Sequence, residues 1–354
     1  MRKWFIWFIP ILSVFILTGC ANTELERKEF PLTLGLDVAE NAGNNLQIIY
    51  NLPDLSKVTE QNKESELETT LEVEGVNFAA AQEEYLKNTD KQLDYSQLKA
   101  IVIGRRLLEK KDLLVSMLKY LESHNAISQS VMIFVSDDSK EVIDRGSKKE
   151  GSLGTYLEKL MNKPLKGEQK VTLGNLITHW RNQNETLLIP ILEPAEKSEV
   201  LMDNAVILKN VTNYGQLDKE ELEMLLLSTG KIINKTYYLN GKPEITLKKA
   251  RVKYLIEPYS LLPEVTVKIY LKGNSQENTL QEEREAKEIK ELIEKQIQER
   301  LKILEETWGK KVDLWNTFVM LGRQDRELWK KYNQKQDQYV NDRKIKFDIE
   351  WSGI

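Results

Sequence analysis

Three observations predict a mixed α+β protein of more than one domain. In the first half, continuous apolar runs lead directly into segments with helical spacing, as in "LKAIVIG" before "RRLLEKKDLLVSMLKYLESH". In the second half, alternating strands precede one long amphipathic helix. The 335 residues from Cys20 to Ile354 also exceed what a single core usually serves. The expected fold is a multi-domain α+β / mixed α/β arrangement. Its N-terminal α/β half has a partly parallel sheet, and its C-terminal half has an antiparallel sheet packed by the long helix. The expected divisions are a signal segment at 1–19, a first α/β domain at 20–110, a second at 111–197 and a C-terminal α+β domain at 198–354.

Residues 1–19 read as an export signal that ends in a lipidation site. Arg2 and Lys3 give a positive start, and Trp4–Leu17 is a 14-residue apolar segment interrupted by Pro10 and Ser13. That length suits a secretory signal and falls short of the ~20 residues that cross a bilayer as a helix. Leu17-Thr18-Gly19-Cys20 has the form of a bacterial lipobox, in which the thiol forms a diacylglycerol thioether and the chain is cut before it. Cys20 is the single cysteine, so no internal disulfide forms and stability must come from the core. Two acyl chains on one residue would anchor the protein durably, where one chain binds only marginally. The expected location is the outer face of a cytoplasmic membrane.

The elements follow in order. "FPLTLGLDV" and "LQIIYNLP" alternate as two strands of a hairpin around "ENAGNN". Residues 54–68 are polar and patternless, a loop; "TLEVEG" is a further strand, and Phe78, Ala81, Tyr85 and Leu86 share a helix face. "LKAIVIG" and "SVMIFVS" are strands buried on both faces, each followed by a helix, with Ser136 placed to cap the second. Helices at 152–162 and 172–182 lead to "ETLLIPILEP". "MDNAVILKN" is a strand, "NYGQ" a turn, and "LDKEELEMLLLSTG" a helix that Gly230 terminates. Three antiparallel strands precede the helix at roughly 279–307, whose stripe is Ala286, Ile289, Ile293, Ile297, Leu301 and Leu304. A short helix around "VDLWNTFVML" follows, and Ile345, Phe347, Ile349 and Trp351 alternate with charged residues as a final strand.

The residues offer little catalytic chemistry. Neither His124 nor His179 has metal-ligand spacing, and with Cys20 lipidated no thiol remains, so no metal, cofactor or catalytic residue is assigned. Asp137-Asp138 and Glu220-Glu221-Glu223 stand at helix starts, where the dipole alone favours carboxylates. The 51 basic and 55 acidic side chains leave a net charge of −4, which argues against a nucleic-acid partner. Four of the seven tryptophans (Trp308, Trp315, Trp329 and Trp351) fall after residue 307. Trp315 with Phe318, and Phe347 with Trp351, are spaced as a core requires. Trp329 and Tyr332, in polar "ELWKKYNQKQ", are the candidates for an exposed partner surface.

In this order, "ELERKEFPLTLGLDV", "QIIYNLP", "YSQLKAIVIGRRLLE", "NAVILKN…GQLDKEELEMLLLSTG" and "LWKKYNQKQDQYVNDRKIKFDIEWSGI" resemble the Ger(x)C family, the C-subunit lipoproteins of spore germinant receptors. Ala21-Asn22 replaces the family's usual Trp-Asp, Gln97 stands where a His is frequent, and Asn204 where a Gly is common, so the chain resembles a divergent member. The resemblance implies a non-enzymatic subunit of a nutrient receptor, built from mixed α/β domains and anchored through Cys20 in the spore inner membrane with its body outside. Its implied partners are a larger A subunit and an integral B subunit. The rival expectation is a solute-binding lipoprotein of an uptake transporter, which needs two similar α/β lobes around a cleft.

Cys20→Ala is expected to leave the precursor uncut at Gly19–Cys20 and without lipid, because no second thiol can substitute. Mass spectrometry of the membrane-extracted chain checks this, and an unmodified Cys20 at the native N-terminus would contradict it.

Overall fold

The computed structural model describes residues 27–351, apart from 41–42, 54–67, 151, 164–168, 183–184, 196–199, 232–234, 240–241, 258–259 and 276–279. The signal segment, Cys20 and all but the last residue of the expected loop at 54–68 lie outside the described residues.

A short parallel pair, β1 (Lys28–Glu29) with β5 (Gln92–Leu93), flanks the main N-terminal sheet. That sheet has five strands in the order β4 (Glu68–Gly75), β3 (Leu46–Pro53), β2 (Thr33–Val38), β6 (Ala100–Gly104), β7 (Met132–Ser136). The β2–β3 and β3–β4 pairs are antiparallel, while β2–β6 and β6–β7 are parallel, so the sheet is partly parallel as expected. β6 and β7, from either side of the expected 110/111 division, are neighbours in this one sheet.

Helices cover both faces, which is why β6 and β7 read as continuous apolar runs. On one face Leu34, Leu36, Ile101 and Ile103 pack with α1 (Phe78–Lys87), α3 (Lys111–Ser123) and α6 (Leu173–Asn182). On the other, Val102, Met132 and Phe134 pack with α4 (Ser139–Glu150) and α5 (Leu153–Met161). The helix expected as one piece after β6 is two: α2 (Arg105–Leu108) ends where Lys110 leaves helical geometry, and α3 restarts at Lys111. The break keeps Arg106 at the end of β6, within 2.9 Å of the buried Asp37, while α3 lies along the sheet. Ser136 does not cap α4. Asp138 is closer to the helix start and accepts from the Glu141 amide, while Ser136 donates to the Asp138 carbonyl.

A second, three-stranded sheet has the order β12 (Thr212–Leu217), β11 (Ala205–Lys209), β8 (Thr186–Pro190). A two-residue antiparallel pair, β9 (Glu193–Pro194) with β10 (Val200–Leu201), lies between β8 and β11 in the chain. β11 is buried on both faces: Val206 and Leu208 belong to the N-terminal core, and Ala205 and Ile207 to the C-terminal one. The turn expected at "NYGQ" sits earlier, at Asn210-Val211, both with positive φ, and Asn213–Gln216 continue β12.

The third sheet has the order β13 (Lys235–Leu239), β14 (Lys242–Ile256), β15 (Glu264–Ser275), β16 (Lys344–Trp351). The first three strands are antiparallel as expected. β16 runs parallel to β15, because the chain returns to the sheet through a long helical crossover. That crossover contains α8 (Leu280–Leu304), α9 (Thr317–Gln324), α10 (Arg326–Tyr332) and α11 (Gln336–Asp342). Ile293, Ile297, Leu301 and Leu304 of α8 are buried with Val265, Val267, Ile269 and Leu271 of β15 and with α7 (Lys219–Ser228). Asp218 and Glu221 form a capping box on α7, and Gly230, at φ +75°, closes it. Trp315 lies just before α9 rather than in it, since Asn316 takes a left-handed conformation. Phe347 and Trp351 are half-buried, so the final strand is structural but does not bury its aromatics completely.

A Cβ on Gly104 would overlap the carboxylate of Asp37. Gly104→Ala is therefore expected to cost about 1–3 kcal/mol. Gly43→Ala, where a Cβ meets nothing, should stay within about 0.5 kcal/mol of wild type. Urea midpoints of the two variants check this.

Candidate functional site

The C-terminal ends of parallel strands are where open α/β sheets usually place ligands. Here that edge is filled by charge pairs. Asp37, buried at the end of β2, accepts from its neighbour's amide (Val38 N, 2.7 Å) and from Arg106. Arg105, opening α2, pairs with Asp137 and donates to Gln216 Oε1 of β12 at 2.9 Å. Asp138 is the helix cap already described. The carboxylates of α7 are also engaged: Glu220 pairs with Arg300, Glu221 accepts from Trp308 Nε1 at 2.9 Å, and Glu223 pairs with Lys235. Among the described residues no group of three or more His, Cys, Asp or Glu could hold a metal ion. His179 is buried on α6, and burial pushes its pKa down to about 4, so it is neutral. His124 stands edge-on to Tyr95 at 5.1 Å.

The C-terminal tryptophans surround a buried charge cluster. Arg343, the residue before β16, has a wholly buried side chain. It pairs with the equally buried Asp313, donates to Thr317 Oγ1 at 2.9 Å and donates to the Gly309 carbonyl at 2.7 Å. Asp313 in turn accepts from Thr317 Oγ1 (2.8 Å) and from the Phe318 amide (2.7 Å), fixing the start of α9. Glu305, in the π-helical turn Glu305–Gly309, lies 3.5 Å from Arg343. Burial nevertheless pushes its pKa up to about 7, with Arg343 opposing the shift. Tyr339 caps the group by donating to Thr317 Oγ1 at 3.0 Å. One cluster thus ties the end of α8, the start of α9, α11 and β16 together.

The two residues expected to form a partner surface do not share a fate. Tyr332 is 0 % exposed, a correction to the expectation: its ring meets Tyr339 edge-on at 5.7 Å and its hydroxyl donates to Asp342 at 2.8 Å. The polar sequence around it hid a single inward-facing position on α10. Trp329 is half-buried, lying over Gly322 with its ring 6.4 Å from Phe318. Beside α10, Leu261 in the β14–β15 turn is 90 % exposed, and Lys331 Nζ donates to its carbonyl at 3.2 Å.

A cavity of about 440 Å³ opens along the seam between the two halves. Gln169, Asn175, Thr186 and Leu187 line it from the N-terminal half. Leu222, Leu225, Leu226, Tyr254, Trp315 and Met320 line it from the C-terminal half. No sequence pattern points to it, because its walls come from segments far apart in the chain. Arg343, Asp313 and the buried Lys209, which pairs with Asp337 at 2.7 Å, escape sequence reasoning for the same reason.

The architecture is that of a mixed α+β protein with one partly parallel and one largely antiparallel sheet, joined by a short central sheet. A family model described as "Spore germination protein N-terminal domain" matches residues 22–194, and one described as "Spore germination B3/ GerAC like, C-terminal" matches residues 203–352. The chain belongs to this Ger(x)C family of spore germination proteins. The solved structure described as "Crystal Structure of the GerBC protein" has the same fold, at a TM-score of 0.58 and 18 % identity, over 90 % of this chain and 96 % of that one. No curated protein sequence matches this chain.

Two measurements test the buried cluster. Arg343→Met leaves Asp313 charged and unpaired, and is expected to cost about 3–5 kcal/mol. Lys346→Met, which breaks an exposed pair on β16, should change stability by no more than about 0.5 kcal/mol. Between its ordinary value of 4.5 and about 7, Glu305 keeps a proton in the folded state that the unfolded state has lost. Its contribution to stability is therefore present at low pH and is lost as pH rises through 7. Glu305→Gln is expected to remove that slope, so the wild type should lose more stability than the variant between pH 5 and 7.5 in urea titrations.

Proposed function

We propose that this chain is the lipid-anchored C subunit of a nutrient germinant receptor, working by assembly with A and B subunits at the outer face of the spore inner membrane and catalysing no reaction of its own. The single observation that carries this reading is the pair of spore-germination family models that together cover both halves of the chain. The GerBC-like fold supports it at the level of architecture.

Physical arguments agree. The lipobox at Cys20 would supply the membrane attachment; no helix among the described residues is long and apolar enough to cross a membrane. Confinement beside the membrane raises the effective concentration of the body toward integral partners, so a modest interface suffices. The buried Asp37, Asp313 and Arg343 described above hold helix starts and strand ends in place. The solute-binding alternative requires two like lobes, whereas one half here carries a five-stranded mixed sheet and the other a four-stranded sheet crossed by α8. The partner surface is assigned to Trp329 on α10 and Leu261 in the β14–β15 turn, a half-buried aromatic and an exposed aliphatic side chain.

In a deletion strain given single nutrients, the spore should lose its response to one set of germinants and keep the others. Tagged protein drawn from spore membranes should bring A- and B-like subunits with it. Leu261→Asp and Trp329→Ala should weaken that capture at unchanged membrane attachment, and Leu261→Asp should leave the urea midpoint unaltered. Normal germination on every nutrient with no such subunit recovered would overturn the proposal.

A further inference from the structure

We propose that β16 is a self-recognition edge, at which two copies of this chain pair antiparallel about a two-fold axis at Phe347 and join their four-stranded sheets into one. This goes beyond the assembly role and rests on the strand alone. β16 is the last strand of its sheet, and among the described residues it pairs with β15 and with no other strand. The Lys344 amide donates to the Pro263 carbonyl at 2.8 Å, on the β15 side. Backbone groups alternate in direction along a strand, so those of Ile345, Phe347, Ile349 and Trp351 point away from β15. The Phe347 carbonyl agrees, since it accepts from the exposed Gln298 of α8 at 3.3 Å. Such a row of outward N–H and C=O groups is a template for a further strand.

The side chains select which strand. In antiparallel pairing about Phe347, Lys344 faces Glu350 of the second copy, Lys346 faces Asp348, Ile345 faces Ile349, and the two Phe347 residues meet. Phe347 has its backbone groups outward, as an axis at that residue requires, because the two copies then exchange both hydrogen bonds there. A shift by one residue would set outward groups against groups already turned to β15. A shift by two brings Lys346 onto Lys346 in one direction and Asp348 onto Asp348 in the other, and larger shifts also oppose like charges. The edge strand of the five-stranded sheet shows the contrast: Glu72 and Glu74, the exposed charges of β4, have one sign and repel a second copy of themselves.

The apolar side of β16 is left incomplete. Val265, Val267, Ile269 and Leu271, its register partners on β15, are buried, whereas Ile345, Phe347, Ile349 and Trp351 are half-buried. A two-fold axis perpendicular to the sheet keeps these four on the same side as their counterparts, so pairing covers them. On the other side, Lys346 pairs with Glu264 at 3.4 Å, and Lys268 pairs with Asp348 at 3.2 Å and Glu350 at 3.7 Å. These groups are all partly exposed, so the second copy extends the charge network across the edge without having to break it.

The test uses the full chain carrying two different tags. Cys20 is the single natural cysteine, so the unsubstituted chain sets the background of oxidative crosslinking. Lys346→Cys in one tagged copy and Asp348→Cys in the other should give a disulfide-linked mixed dimer, because facing residues of this kind lie about 4.5 Å apart at Cα, within disulfide reach. Lys344→Cys with Asp348→Cys, two positions out of register, should give far less. Charge reversal tests the code. The variant with Lys344→Glu and Lys346→Glu should not be captured by its own copy, nor should the variant with Asp348→Lys and Glu350→Lys, yet each should capture the other. If a charge-reversed variant does not fold, the crosslinking comparison decides. A mixed dimer no more abundant than background, equal crosslinking in and out of register, or folded charge-reversed variants that fail to capture each other would overturn the proposal.

Discussion

The amide of Ile191 donates to the carbonyl of Asn204 at 2.9 Å, and the next amide, that of Leu192, donates to the carbonyl of Val135 at 2.8 Å. Successive groups on an extended chain point in opposite directions, so one segment can serve two sheets at once. Asn204 leads into β11 of the central sheet, and Val135 belongs to β7 of the N-terminal sheet. Two backbone hydrogen bonds contribute only about 1 kcal/mol each. Burial contributes more: Val206, Ile207 and Leu208 of β11 are fully enclosed, at roughly 1.5–3 kcal/mol per side chain. The hydrogen bonds set the register, and the apolar faces of β11 supply the strength. Other contacts between the halves, such as Arg105 with Gln216 and the Thr186 amide with Asn316, depend on that register.

The C-terminal half solves a related problem with charge. β16 must come back to β15 after a crossover of helices, and little in their individual propensities fixes where each begins. Arg343 does so from the foot of β16, reaching the π-helical turn through Gly309 and the start of α9 through Asp313 and Thr317. A buried ion pair is weak evidence for net stability, but it is strong in specification, because a misplaced helix start would leave a charge unpaired. The same reasoning covers Asp37 with Arg106 in the N-terminal half, where the ion pair sets how α2 leaves β6.

Much of the fold is legible in the sequence where one periodicity rules a long segment. The α8 stripe, the alternation of β15 and the apolar runs of β6 and β7 indicate element type and burial directly. Adjacency is not legible in this way. "AVILK" shows a strand buried on both faces but not that its faces belong to different cores, and the charged residues of β16 do not show that it runs parallel to β15. Local polarity misleads at Tyr332, where charged neighbours on α10 surround one inward position. The turn at Asn210-Val211 escapes a local reading because a β-branched residue at positive φ contradicts every local preference; Val211 is held there by burial in the N-terminal core. The seam cavity depends on both halves being in place, so no local signal announces it.

If the segment from β8 to Leu192 ties the halves into one cooperative body, its amides must open only when the whole molecule unfolds. Native-state hydrogen exchange on the full chain measures this residue by residue. The account predicts that the amides of Ile191 and Leu192 exchange with the same opening free energy as those of Val102 in β6 and Val267 in β15. Exchange of Ile191 and Leu192 through a low-energy local opening, with β6 and β15 still protected, would contradict it.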